Sequence, residues 1–177
     1  MTKTVRLLAL ILLASAVLVG CKSTHTGVVD KTADIDFHEN QLAVVVSDGE
    51  GKPGDTVSMT VSIVHNPSIA GFSFCVKIPD GCRIENEKIA MEDNTYSYCN
   101  RLTEENAVNF AWTNLSQSAD DRVIARFDLK LDDSIAPGEY PVQLLFRDRY
   151  DVFYTVADDQ SMPEYEVIPL DGVLTVK

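Results

Sequence analysis

The chain is poor in residues that do chemistry: of its 177 residues, three are histidine, four are cysteine and one is tryptophan. It has no Gly-x-Ser-x-Gly elbow, no His-Glu-x-x-His pair and no phosphate-binding glycine loop, so nothing in its sequence speaks for a serine hydrolase, a zincin or a P-loop nucleotidase. Positive charge is also scarce. Fifteen Lys and Arg against 27 Asp and Glu give a net charge of -12, which repels a phosphate backbone and argues against nucleic acid. The 9 Gly and 7 Pro follow no period and no heptads occur, which excludes collagen-like and coiled-coil chains. Cys75, Cys82 and Cys99 lack the close Cys-x-x-Cys pairing of structural zinc sites, so no metal is expected.

Carboxylates are plentiful, and Asp120-Asp121, Asp132-Asp133 and Asp158-Asp159 form adjacent pairs in loops. Neighbouring acids in so acidic a chain read as solvated loop charge rather than as a glycosidase pair or a calcium site. His65 is the one histidine inside the domain and precedes Asn66-Pro67, a turn signal that marks it as a surface residue. No catalytic residue is assigned, and the expectation is a protein that is not an enzyme.

What the chain does have begins at its N-terminus. Lys3 and Arg6 precede an apolar run over 7–19, too short to span about 30 Å of hydrocarbon as a helix, so residues 1–20 read as an export signal. The following Leu18-Val19-Gly20-Cys21 resembles the lipobox of bacterial lipoproteins, which implies acylation of Cys21. The expectation is a domain outside the cytoplasm, at the cell envelope, touching the membrane through its lipid alone. Cys75, Cys82 and Cys99 then remain, enough for at most one disulfide. Residues 21–40 are polar and aperiodic and read as a flexible tether, which leaves 41–177 as the folded domain.

From position 42 onward, short β-branched and aromatic stretches alternate with Gly, Pro, Asn and Asp clusters about every ten residues, an all-β pattern. Nine strands are expected, over 42–46, 56–64, 71–78, 82–84, 96–100, 107–113, 123–131, 140–146 and 172–176. Side chains alternate across a strand, so Val57, Met59, Val61 and Ile63, then Phe72, Phe74, Val76 and Ile78, then Val108, Phe110 and Trp112 should face a core. The small and polar residues between them should give each sheet one wet face. A helix around 102–106 would be too short to matter, so two antiparallel sheets packed as a β-sandwich or jelly roll are the economical solution.

Several segments, in order, resemble a cohesin, the receptor module of cellulosomes. Gly51-Lys52-Pro53-Gly54-Asp55-Thr56-Val57 resembles the family's turn into its second strand, and Ser68-Ile69-Ala70-Gly71-Phe72-Ser73-Phe74 its entry into the third. Ala136-Pro137-Gly138-Glu139-Tyr140 resembles the turn before the eighth strand, and Asp171-Gly172-Val173-Leu174-Thr175-Val176 the closing strand. The chain departs from the family where Ile78-Pro79-Asp80-Gly81 replaces the Tyr-Asp-Pro ending of many third strands. The resemblance implies a nine-stranded jelly roll that binds a dockerin, a small helical module carrying its own calcium, on the face of strands eight, three, six and five. It needs no cofactor of its own. Carried over by strand position, that face comprises Gly71, Ser73, Cys75 and Lys77, Asn109, Ala111 and Thr113, and Tyr98 and Asn100. The rival expectation is a carbohydrate-binding module on the same plan, with polysaccharide stacked on Tyr96 and Tyr98.

Overall fold

The computed structural model of the chain describes residues 31–91, 96–118, 120–147, 151–156, 161 and 163–177. Twelve strand segments run β1 (Gln41–Val46), β2 (Gly49–Gly51), β3 (Thr56–Val64), β4 (Ile69–Lys77), β5 (Cys82–Ile89), β6 (Tyr96–Leu102), β7 (Ala107–Ser118), β8 (Arg122–Leu131), β9 (Gly138–Leu145), β10 (Phe153–Tyr154), β11 (Glu166–Leu170) and β12 (Gly172–Val176). One sheet has the order β11-β1-β3-β8-β5; the other has β2-β12-β9-β4-β7-β6, with β10 also paired to β4.

The count exceeds nine because three segments outside the expected ranges, β2, β10 and β11, extend the first, eighth and last strands. The first crosses between sheets, β1 lying in one and β2 in the other, and the last does the same through β11 and β12. The eighth is interrupted instead: β9 and β10 line the same edge of β4, at Lys77 to Cys75 and at Phe72 to Gly71, while the chain makes an excursion between them. The first and last strands pair with each other in parallel, β1 with β11 and β2 with β12, so the sandwich is not purely antiparallel. The expected helix around 102–106 is a turn, with Glu105 N–H donating to Leu102 O at 3.1 Å and Asn106 at φ 48°.

The alternation of apolar residues sets the core. Val57, Met59, Val61 and Ile63 of β3, Phe72, Phe74 and Val76 of β4, Ile78 just beyond it, and Val108, Phe110 and Trp112 of β7 are all buried in one cluster. At the open side of the sandwich Arg101 of β6 donates to both carboxylate oxygens of Glu87 on β5, at 2.7 and 2.6 Å, and this pairing holds the pKa of Glu87 below the usual carboxylate value.

Two sequence expectations fail on the outer face of the β1–β3 sheet. Thr60 and Ser62 are buried rather than wet, beside a second apolar group of Ala43 and Val45 with Phe37, Val64, Ile168 and Leu170 against it. Residues 31–40, assigned by composition to the tether, are held on the sandwich. Phe37 stacks on His65 with centroids 4.7 Å apart, and Lys31 Nζ donates to Val46 O, Asp48 Oδ1 and Asp171 O at 3.0, 2.7 and 2.7 Å. The lysine thus clamps the points where the first and last strands change sheets. One aromatic and one cation do this without any periodicity, so composition alone does not reveal it. Residues 1–30, and with them Cys21, lie outside the described residues.

Gly172 sits at this crossover. A Cβ there would come 2.5 Å from Ser47 O and 2.8 Å from Val46 Cγ1, and a backbone oxygen cannot yield as a flexible side chain can. Gly172→Ala is therefore expected to lower the unfolding free energy by about 1–3 kcal/mol through overcrowding, measured by urea denaturation. A loss indistinguishable from zero would show that the crossover relaxes freely.

Candidate partner-binding site

The four strands singled out by the resemblance are consecutive neighbours, β9 and β10 on one edge of β4, then β7, then β6. Register aligns their outward residues in rows: Gly71 with Thr113 and Tyr96; Ser73 with Ala111 and Tyr98; Cys75 with Asn109 and Asn100; Lys77 with Ala107 and Leu102. All nine expected residues therefore share one face, opposite the buried side chains of Phe72, Phe74, Val76, Val108, Phe110 and Trp112.

That face is not uniformly open. Gly71 and Cys75 are buried, Ser73, Asn109, Ala111 and Thr113 are half-buried, and Lys77, Tyr98 and Asn100 are exposed. The cause is the excursion between β9 and β10. Arg147 lies across the face, donating through Nε to Asp151 Oδ2 at 2.8 Å and through Nη2 to Asp151 Oδ1 at 2.9 Å and Asn109 Oδ1 at 2.6 Å. Asp151, whose side chain is 0% exposed, also accepts from Ser73 Oγ at 3.1 Å and Arg147 N at 2.8 Å, and its own N–H donates to Arg147 O at 3.1 Å. The hydrogen bonds that Arg147 donates to Asp151 raise its pKa further, so the guanidinium is permanently charged. Farther along, Tyr154 pairs with Gly71, and its hydroxyl lies 2.7 Å from Thr113 Oγ1. A Cβ at Gly71 would strike that phenol ring, which explains glycine at this position.

Arg147, Asp151 and Tyr154 were missed by sequence reasoning. The signal available was the charged run Arg147-Asp148-Arg149-Tyr150-Asp151 directly after an apolar strand, which reads as a solvated loop unless its return to β4 is known.

Cys75 lies under this network and donates weakly to Asn109 Oδ1 at 3.4 Å. Burial, with the Asp151 charge adding to it, pushes the thiol up to about 11, and burial pushes Cys82 up to about 11 as well. Cys75, Cys82 and Cys99 are all free thiols. An unfolded thiol ionises near 9, before the folded one does, so stability is complete below about pH 9 and falls as pH rises toward 11. Denaturation midpoints should drop between about pH 9 and pH 11 and drop less in Cys75→Ala and Cys82→Ala; a flat profile would contradict the burial.

The carboxylate pairs serve structural ends where they are described. Asp121 Oδ1 accepts from Asn66 N–H at 2.9 Å, and Asp132 lies 3.9 Å from Arg83. Asp158 and Asp159 fall outside the described residues. Among the described residues, no group of three His, Cys, Asp or Glu side chains is placed to hold a metal. Trp112 is buried in the core, whereas Tyr96 and Tyr98 are exposed, their rings 6.4 Å apart and inclined by 15°.

Comparison with solved structures defines the class of fold. The seventh ScaB type I cohesin of Pseudobacteroides cellulosolvens superposes with a TM-score of 0.67 at 17% identity, over 77% of this chain and 92% of its own. The third ScaC cohesin of Acetivibrio cellulolyticus, solved in complex with a ScaB dockerin, gives 0.63 at 20% identity, over 76% and 98%. A non-cellulosomal cohesin from the archaeon Archaeoglobus fulgidus gives 0.60 at 12%, over 77% and 91%. No family profile and no curated protein matches the sequence. The domain has the cohesin fold: a β-sandwich with jelly-roll topology.

Proposed function

We propose that the chain is a non-catalytic receptor that captures a dockerin-bearing protein on the β9/β10–β4–β7–β6 face, with calcium carried by the partner and the lipid on Cys21 holding the receptor at the outside of the cell. The observation that supports this best is the alignment of nine sequence-selected residues in rows on one face of a cohesin fold. The face ends in exposed Tyr98 and Asn100, suited to an anchor in the partner and a polar rim. A role in polysaccharide degradation follows if the partner is a polysaccharide-degrading enzyme or scaffold.

The test is capture on the immobilised chain of the dockerin modules encoded in the same genome, with and without a calcium chelator. Binding that disappears on chelation is the expected result; no binding by any of them would overturn the reading. For the anchor, Cys21→Ser should release the folded protein from the membrane fraction, because the thiol is the only attachment point. Unchanged membrane association would defeat it.

The near-parallel exposed rings of Tyr96 and Tyr98 support a second reading, direct binding of polysaccharide. Retention on insoluble polysaccharide that Tyr96→Ala abolishes, with no dockerin bound, would favour it.

A further inference from the structure

The sheet that turns away from the proposed receptor face has a hollow of its own. On the outer side of β3, β8 and β5, register sets Thr60 opposite Arg126 and Arg126 opposite Lys88, and a neighbouring row sets Ser58 opposite Asp128. The ladder slips on both sides of β8, between Val61 and Ser62 on β3 and between Glu85 and Lys88 on β5, and Asn86 within the second slip has φ 51°. Slips of this kind bend a strand and re-aim its side chains. The hollow measures about 320 Å³, and Ser58, Thr60, Asn86, Lys88, Arg126 and Asp128 line it.

Three of these side chains lack a partner. Lys88 and Arg126 are exposed and have no ion pair among the described residues, whereas Arg83, Arg101, Arg122 and Arg147 are all paired. Like charges at directly opposed strand positions cost stability, and an anion between them removes that cost. Thr60 is 5% exposed and fixed by its backbone, which donates to Ser47 Oγ at 3.0 Å and accepts from Ser47 N–H at 2.9 Å, yet its Oγ1 is buried without a hydrogen bond. Asp128, in contrast, accepts from Ser58 Oγ at 2.6 Å and Asn86 Nδ2 at 3.0 Å, one bond on each carboxylate oxygen, and each oxygen keeps a further acceptor site. That carboxylate repels a bare oxyanion but accepts from a hydroxyl. Two cations less one carboxylate leave a single positive charge, which matches a carboxylate or sulfate ester better than a phosphate monoester of charge about -2.

We propose that this hollow binds an acidic sugar, with its carboxylate or sulfate between Lys88 and Arg126 and its hydroxyls on Asp128, Ser58 and Thr60. Its volume falls near the lower bound of about 300 Å³ for small-molecule sites. The site is independent of the receptor face and of Tyr96 and Tyr98, which belong to the other sheet.

The experiment is an NMR titration of the chain with galacturonate, galactose 6-sulfate, galactose and sodium sulfate, read on the backbone amides of Thr60, Lys88 and Arg126. At least one of the two acidic sugars should shift these amides saturably, with galactose and sodium sulfate each more than about tenfold weaker. Lys88→Ala and Arg126→Ala should each weaken that sugar more than about tenfold, while Tyr96→Ala changes it less than about twofold. Both replaced cations are exposed, so thermal melts should show each variant folded, with Lys88→Ala no less stable than the unmodified chain. Tighter binding of polygalacturonate or a sulfated galactan than of the matching single sugar assigns the site to a polymer; equal or weaker binding assigns it to the free sugar. Failure of both acidic sugars, equal binding of sodium sulfate, or unchanged affinity in both cation variants overturns the proposal, and none of these results bears on capture of a dockerin.

Discussion

Phe74→Ala is expected to lower the unfolding free energy by about 3–5 kcal/mol, read as a shift in the urea midpoint at constant slope. Phe74 is 0% exposed, and its ring lies 5.4 Å from Phe72, 5.5 Å from Phe110 and 5.9 Å from Phe153. It therefore joins β4, β7 and the two-residue β10, and truncation removes both its own burial and the packing that keeps β10 in place. Phe74→Leu, which leaves a smaller void, should lose less than half as much. A loss below about 1 kcal/mol for alanine would mean that the core collapses around the gap, against the close packing seen here.

Arg147→Ala should have the next largest effect, about 3 kcal/mol, because it strands a fully buried carboxylate with only Ser73 Oγ and a backbone N–H to satisfy it. The arginine side chain keeps 35% of its surface exposed, so solvent moderates the loss from the upper end of the usual range. Lysine should not rescue it. Arg147 uses Nε and Nη2 to hold both carboxylate oxygens and Asn109 together, and a single ammonium cannot reproduce that planar fork. Removing the guanidinium also uncovers Cys75, so the thiol should react with a maleimide in the folded variant and resist it in the unmodified chain. Equal stability and equal labelling would show that the network is ornamental.

The sequence was legible where physics repeats itself. Parity at β3, β4 and β7 named the buried residues and the opposite face at once, because a period of two admits only two assignments. Segments without such repetition escaped. Gly49–Gly51 has no apolar residue to mark it, and Phe153–Tyr154 is two residues long. Glu166–Leu170 contains Pro169, which argues against a central strand; β11 is an edge strand, where a missing N–H is tolerated. The rows of the candidate site followed from parity and strand order, but the closure of half of it did not. That depends on Arg147 and Asp151, four positions apart, reaching Asn109 and Ser73 on other strands. Pairings of this kind are set by the tertiary path, and nothing in the local residue pattern encodes them.

The crossing of the first and last strands also bears on how the chain acquires its structure. Gln41 pairs with Glu166 and Gly49 with Leu174, and the Gln41–Glu166 side-chain bond alone spans 125 positions of sequence. Contacts between such distant segments form only after the loop entropy between them has been lost, which places the domain among slow folders with timescales of about milliseconds to seconds. A ribosome that has not yet released residues 166–176 holds a chain whose two sheets cannot be laced together on the side where the first strand crosses between them. The nascent polypeptide therefore stays open until residues 166–176 emerge, and that segment acts as the fastener that completes the sandwich.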